Sequence, residues 1–358
     1  MGLSCGLLGV PLCGKTTIFN AVTALDASSY NRAEMNRAII YIPDRRLNRL
    51  ADMYHPQKIV PSTLDIVDIP GIGSGTQGDG RGTKLLGHIK DVEAILHVVR
   101  CFSADGSSPE IIDPGIDIET VELELLAADS TTLENKLHRL EKRVRAGDKD
   151  AIRETTNCKK VFDSIQQGIA ARKQGLNDQE LSSIRECNLV SLKPVLYIAN
   201  IESMEDAEKP PVQRLKEIAL SEGAEMITIC GKDEADIAHF GQNEQREFLQ
   251  EMGLKESSME RLLLAAYRIL GLISFFTVGE DEVRAWTCRK GDKAPTAAGK
   301  IHTDMEKGFI RMEVIGYENL VELGSEAAVA KAGLQRLEGR EYEVQDGDIA
   351  TVRFNRKG

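Results

Sequence analysis

Gly9-Val10-Pro11-Leu12-Cys13-Gly14-Lys15-Thr16 follows the spacing G-x-x-x-x-G-K-[S/T] of a phosphate-binding loop. An apolar run, 5–10, leads into it, and a helix-like stretch, 16–24, leads away. Each residue type has a physical task. Gly9 and Gly14 allow the tight turn that aims backbone N–H groups at phosphate oxygens. Lys15 reaches the β- and γ-phosphates, the Thr16 hydroxyl is suited to Mg²⁺, and the following helix presents the positive end of its dipole. The nine residues Gly9, Val10, Pro11, Leu12, Cys13, Gly14, Lys15, Thr16 and Thr17 are therefore the expected cradle of a nucleoside triphosphate.

Working outward, short apolar runs at 5–10, 39–42, 64–68 and 94–99 alternate with helical periodicity at 16–24 and 84–92. That alternation predicts an α/β fold with a doubly wound, mainly parallel sheet. From about residue 118 to 172 the pattern becomes charge-dense, with Leu133, Leu137, Leu140, Val144, Val161, Ile165 and Ile169 at helical spacing and Gly147-Asp148 between two halves. An antiparallel, coiled-coil-like helical hairpin is expected there, interrupting the α/β unit. Alternation resumes with strands at 195–200 and 226–229 and helices at 212–221 and 259–270. Near Phe275 a small α+β unit with a mixed sheet begins, with strands around 283–287, 309–314 and 350–354. The expected divisions are 1–117 and 191–274 for the nucleotide domain, 118–190 for the hairpin, and 275–358 for the last domain.

The 358 residues carry a net charge of −11, which argues against a chain coated in positive charge and against a DNA partner. Seven cysteines occur without a C-x-x-C pair, and six histidines occur without ligand spacing. Reduced thiols in a cytoplasmic protein and no structural zinc follow from that. No apolar run reaches membrane-spanning length. The expected state is a soluble monomer away from membranes.

A second nucleotide signature, Asp68-Ile69-Pro70-Gly71, ends the 64–68 strand. The acid is placed to hold Mg²⁺ through water and the Gly71 N–H to bond the γ-phosphate. Glycines 73, 75, 78, 80 and 82 follow, as in a switch segment ordered by ligand. Ile72 stands where a water-orienting glutamine would be useful, and it has no polar atom for that task. Lys15 and Gly71 are then the groups expected to act on the transferring phosphoryl group, with Thr16 and Asp68 as the metal residues.

The base should be met at Asn200-Ile201-Glu202-Ser203, after the 195–200 strand, with Cys230 and Gly231 beside it. A guanine-reading N-K-x-D would need an aspartate where Ser203 stands. Without that acceptor pair guanine is not selected, and adenine is as well served.

The stretch 136–160 holds nine cations (Lys136, Arg139, Lys142, Arg143, Arg145, Lys149, Arg153, Lys159, Lys160) against four acids. It reads either as an RNA-contacting face or as a solvated helix laced with i,i+4 pairs. Lys300, His302, Lys307 and Arg311 read either as an RNA- or ribosome-contacting patch or as a surface strand and turn of a small domain. Trp286, the single tryptophan, reads as core, and Cys13 as a packed, inert thiol.

Together the phosphate loop, D-I-P-G, and His97-Val98-Val99-Arg100-Cys101-Phe102 resemble the YchF/Obg-like ATPases, a branch of the translation-factor GTPases. Val283-Arg284-Ala285-Trp286-Thr287, the run 298–304, the run 306–311 and the ending 344–348 resemble the TGS domain of that family. The resemblance spans nearly the whole chain. It implies ATP preferred over or alongside GTP, very slow intrinsic hydrolysis, and association with ribosomes through the hairpin and TGS domain. This chain departs from the family pattern in four places. Ser203 replaces the glutamate of N-x-x-E, and Tyr30–Met35 lacks the threonine of P-F-x-T. No histidine follows R-C-F between Ser103 and Asp117, and Leu12-Cys13 stands for Asn-Val. These departures touch catalysis more than binding.

Overall fold

A computed structural model describes residues 3–24, 37–70, 87–103, 112–237, 240, 244–245 and 256–355. The expected γ-phosphate contact Gly71, Ile72, the glycines up to 82, and the stretch 30–35 lie outside these residues. So does the start of the helix expected at 84–92, of which 87–91 is helical.

The first sheet has the order β2-β4-β1-β5-β6-β7, built from β1 (Ser4–Leu8), β2 (Arg37–Tyr41), β4 (Thr63–Asp68), β5 (Ala94–Arg100), β6 (Val195–Asn200) and β7 (Glu225–Ile229). β4, β1, β5, β6 and β7 pair in parallel. All five residues of β1 and all six of β6 are buried, as continuous apolar strands of a covered parallel sheet should be. The chain runs from β1 toward β4 on one side and later to β5 on the other. That reversal opens a crevice at the carboxyl end of β1, where such sheets bind ligands.

Helix α1 (Lys15–Ala24) leaves the phosphate loop directly. α3 (Pro114–Arg145) follows β5, and Asp113 caps it by accepting the Gly115 N–H at 2.8 Å, with Pro114 in the first turn. Its N-terminal half buries Ile118, Val121 and Leu125 against Leu8, Ile95 and Val99 of the sheet. Its outer half packs on α4 (Lys149–Gln166) through Leu126, Leu133, Cys158, Val161 and Ile165. Asp148 caps α4 and also pairs with Arg143 at 2.7 Å, so one acid closes the turn from both sides. Of the seam residues read from periodicity, Leu133, Leu140, Val161 and Ile165 are buried. Ile169 is 39% exposed because α4 ends at Gln166. Short helix α5 (Asp178–Ile184), capped by Asn177, and α6 (Pro210–Ser221) complete this part with α7 (Gly231–Ile237).

The second sheet has the order β11-β10-β12-β8-β9-β3 and is mixed. It comprises β3 (Lys58–Val60), β8 (Leu272–Thr277), β9 (Glu282–Arg289), β10 (Phe309–Gly316), β11 (Arg336–Glu338) and β12 (Asp348–Phe354). The compact unit around it consists of Tyr41–Leu64 together with Leu263–Gly358. The division expected from the sequence places 41–64 within the nucleotide domain and includes no helix at α2 (Arg45–Tyr54). The reason is physical. Leu47 and Leu50 of α2 are buried with Phe276, Val283 and Ile349, and β3 pairs in parallel with β9. Arg46 pairs with Asp44 at 2.8 Å and Asp346 at 2.9 Å, its guanidinium 5.2 Å from the Phe276 ring. Trp286 is partly buried at the edge of the core of this unit, with Nε1 donating to Thr277 Oγ1 at 2.9 Å. No helix among the described residues is long and apolar enough to cross a membrane.

Candidate nucleotide-binding site

The loop between β1 and α1 turns through three residues of positive φ: Gly9 at 156°, Leu12 at 62° and Gly14 at 93°. A Cβ on Gly9 would stand 2.4 Å from the Val98 carbonyl oxygen, so only glycine lets the loop lie this close to β5. Lys15, 7% exposed, folds its ammonium over the turn and donates to the Gly9 carbonyl at 3.0 Å and the Val10 carbonyl at 2.8 Å. Those bonds hold a cation over the loop, and the first-turn N–H groups of an α-helix have no partners within the helix. Pro11 and Leu12 are exposed at the crown, Val10 is partly buried, and Thr16 and Thr17 are exposed on α1.

Cys13 is fully buried. Burial pushes its thiol up, against the lowering influence of the Lys15 ammonium 3.8 Å from its sulfur. It is a packed thiol, as expected.

Thr16 Oγ1 donates to Asp68 Oδ2 at 3.3 Å, bringing together two residues 52 apart in sequence. A hydroxyl and a carboxylate are hard oxygen donors. Mg²⁺ takes such ligands few at a time, with phosphate and water filling its octahedron. The pair fits that requirement. No group of three or more His, Cys, Asp or Glu suited to a metal occurs among the described residues.

On the base side, Asn200 is 4% exposed and both ends of its amide are engaged. Nδ2 donates to the Cys13 carbonyl at 2.9 Å, and Oδ1 accepts the Gly231 N–H at 3.1 Å. A base could use only the second amide hydrogen. Cys230 Sγ donates to the Glu202 carbonyl at 3.0 Å and so ties the two loops together. Ser203 accepts the Glu205 N–H at 3.2 Å as the cap of a short helical turn, Met204–Glu208. Glu202 is exposed. The side chain of Ile201, also expected beside the base, is 2% exposed and lies in the core with Val212 and Leu215.

The basic stretch 136–160 is less free than its composition implies. Lys136 is buried, paired with Glu154 at 2.6 Å and donating to the Ser183 carbonyl at 2.8 Å. Arg143, Arg145, Arg153 and Lys160 pair with Asp148, Glu141, Asp150 and Glu180. Lys142, Lys149 and Lys159 are exposed and form no ion pair among the described residues. On the C-terminal unit, Lys300, His302, Lys307 and Arg311 are exposed, and His302 Nδ1 accepts the Asp304 N–H at 3.1 Å as a helix cap.

His97 is not among the site residues that the motifs mark. It is 4% exposed in β5, opposite Leu8 of β1, and its Nε2 has no hydrogen-bond partner among the described residues. The visible signal was a lone histidine inside the apolar run 94–99.

A family model described as a 50S ribosome-binding GTPase matches residues 4–201. A second, named for the C-terminal part of the YchF GTPase and described as a protein of unknown function, matches 272–355. The ribosome-binding ATPase YchF of Bacillus subtilis is 42% identical over 99% of this chain and 100% of that relative. Its counterpart from Escherichia coli O157:H7 is 40% identical over the same shares. The solved structure of the Schizosaccharomyces pombe YchF GTPase aligns with a TM-score of 0.88 at 32% identity, covering 98% of each chain. Full-length similarity at this level, on a matching phosphate-loop fold, shows that the chain belongs to the YchF family.

Proposed function

We propose that this protein is a nucleotide-dependent switch that binds a Mg²⁺-nucleoside triphosphate, hydrolyses it slowly, and acts on ribosomes in the cytoplasm. The observation that carries this reading is Lys15, held over the glycine turn by two backbone carbonyls, beside the Thr16–Asp68 pair. Thr16 and Asp68 would hold Mg²⁺, which supplies charge neutralisation at the phosphate oxygens. Lys15 offsets charge that grows on the transferring phosphoryl group, and the sequence motif assigns the Gly71 N–H to the same group. ATP is favoured over GTP, because Ser203 caps a turn and no carboxylate stands in its place to accept the guanine edge. The relatives bear the name ATPase and the solved S. pombe structure the name GTPase.

The helical hairpin at 118–190 and a TGS domain starting at about 275, each acting in a monomer, are the parts assigned to the ribosome. Support comes from the names of the relatives and from the exposed lysines of the hairpin. A second reading, a nucleotide-holding scaffold with little or no turnover, is favoured by Ile72, which cannot orient water.

Phosphate release by the purified protein, with and without ribosomes, tests the proposal. We expect slow ATP turnover that ribosomes raise. Lys15→Ala should abolish it and weaken binding by about 10- to 100-fold through loss of a charge-assisted contact. Tight binding with no release under either condition would leave the scaffold reading standing.

A further inference from the structure

Behind the phosphate loop lies a buried cluster of titratable side chains that nucleotide chemistry does not use. Arg172, just beyond α4, donates to Glu122 of α3 at 2.6 Å and to the Ser191 carbonyl at 3.3 Å. Lys173 donates to Glu222 at 2.9 Å and lies 3.7 Å from Glu122 Oε1. Tyr197 of β6, fully buried, donates to the other oxygen of Glu222 at 2.8 Å. Its ring is 5.6 Å from that of His97, directly opposite in the β5–β6 register. The cluster therefore joins the first hairpin helix, the return from the hairpin, the end of α6 and two central strands.

Three observations connect it with the phosphate loop. His97 is opposite Leu8, the residue before Gly9. A Cβ on Gly9 would stand 2.4 Å from the carbonyl oxygen of Val98, next to His97. Burial, and behind it the positive charges of Arg172 and Lys15, hold His97 well below the ordinary imidazole range, so the ring is neutral. It stands between the loop cation and the cluster.

Two buried atoms here lack hydrogen-bond partners among the described residues: His97 Nε2 and Glu122 Oε1. Such atoms cost free energy in the arrangement that leaves them so, and an arrangement that satisfies them competes with it. Buried ion pairs add little net stability but fix one geometry against others.

We propose that this cluster couples the phosphate loop to the hairpin, so that the orientation of α3 and α4 on the sheet depends on which nucleotide the loop holds. The proposal rests on the nucleotide-binding reading above. When phosphate charge meets Lys15, the field at His97 changes, and the Arg172, Glu122 and Tyr197 contacts re-pair. α3 amplifies the change: 32 residues span about 48 Å, and a tilt of roughly 5° moves the hairpin turn by about 4 Å.

The test uses the full chain with spin labels at Lys149→Cys on the hairpin turn and Lys216→Cys on α6, both exposed. The seven native cysteines are buried. Label-to-label distances are compared between Mg²⁺-ADP and Mg²⁺ with a non-hydrolysable ATP analogue, and fluorescent-nucleotide binding is measured on each variant. We expect a shift of several Å in the parent. Tyr197→Phe, which removes one hydroxyl and keeps the packing, and Arg172→Met should lose at least half of it while binding stays within about threefold. Arg172→Lys should restore part of the shift. A parent that binds both nucleotides without any shift, or variants that keep the full shift, overturn the coupling alone. A parent that binds neither nucleotide overturns the functional proposal as well.

Discussion

Asn200 and Gly14 are so close that a methyl group on Gly14 would stand 2.1 Å from the Asn200 amide nitrogen. The asparagine thus acts as a wall against which the loop is folded. Replacing Asn200 by alanine strands the Cys13 carbonyl and the Gly231 N–H. Two buried groups without partners cost about 2–4 kcal/mol together, read as a lower urea midpoint. Gly14→Ala combines that collision with a φ of 93°, and nucleotide binding should be lost. An unchanged midpoint in Asn200→Ala would show that water replaces the brace.

Leu12 adopts a left-handed conformation with its side chain 82% exposed, so it bears backbone strain without compensating burial. Leu12→Asn should stabilise the protein by about 0.5–1 kcal/mol, because asparagine tolerates this region and no packing is forfeited. A lower thermal midpoint for the variant would show that Leu12 packs on something not yet identified.

His97 predicts acid sensitivity. Its folded value is about 3 against 6.5 for the free group, so below pH 6.5 the unfolded chain takes up a proton that the folded chain refuses. Stability contributed by neutral His97 is complete above pH 6.5 and falls as pH drops toward 3, by up to about 1.4 kcal/mol per pH unit. His97→Phe should flatten that limb in urea titrations at pH 4.5, 5.5, 6.5 and 7.5. Equal slopes in both proteins would remove His97 as the cause.

The hairpin cations divide into paired and unpaired ones among the described residues. Changing Lys142, Lys149 and Lys159 to glutamate together should weaken ribosome co-sedimentation by about tenfold or more and make its salt dependence shallower, with stability unaffected. Lys136→Ala should do the reverse. It leaves Glu154 without its partner, destabilises by about 3–5 kcal/mol, and keeps the salt slope. If the triple variant sediments like the parent, the hairpin is not the docking face.

What the sequence revealed, it revealed through local patterns. The loop motif placed Gly9, Gly14, Lys15 and Thr16, and the apolar run 195–200 coincides with β6. Asn200 was visible as a residue at a strand end, but its task was not. Its two hydrogen bonds reach residues 187 and 31 positions away, and no window along the chain contains both. Ile201 was assigned by position in a motif, whereas its apolar side chain follows burial. The α2–β3 segment failed differently: periodicity shows that Leu47 and Leu50 share a face but not which sheet that face covers.

That segment has a consequence for anyone dissecting the chain. Residues 41–64 supply an edge strand and a helix to a unit whose remaining residues begin at 263, so no single cut yields two complete units. A fragment made to the matched boundaries 272–355 would expose Phe276, Val283 and Ile349 where Leu47 and Leu50 belong. Because 41–64 lie between α1 and the Asp68 strand, the chain cannot finish the strand that ends in Asp68 without first passing through the other unit. Synthesis reaches β3 some 220 residues before its partner β9, and until then the strand has no sheet to join.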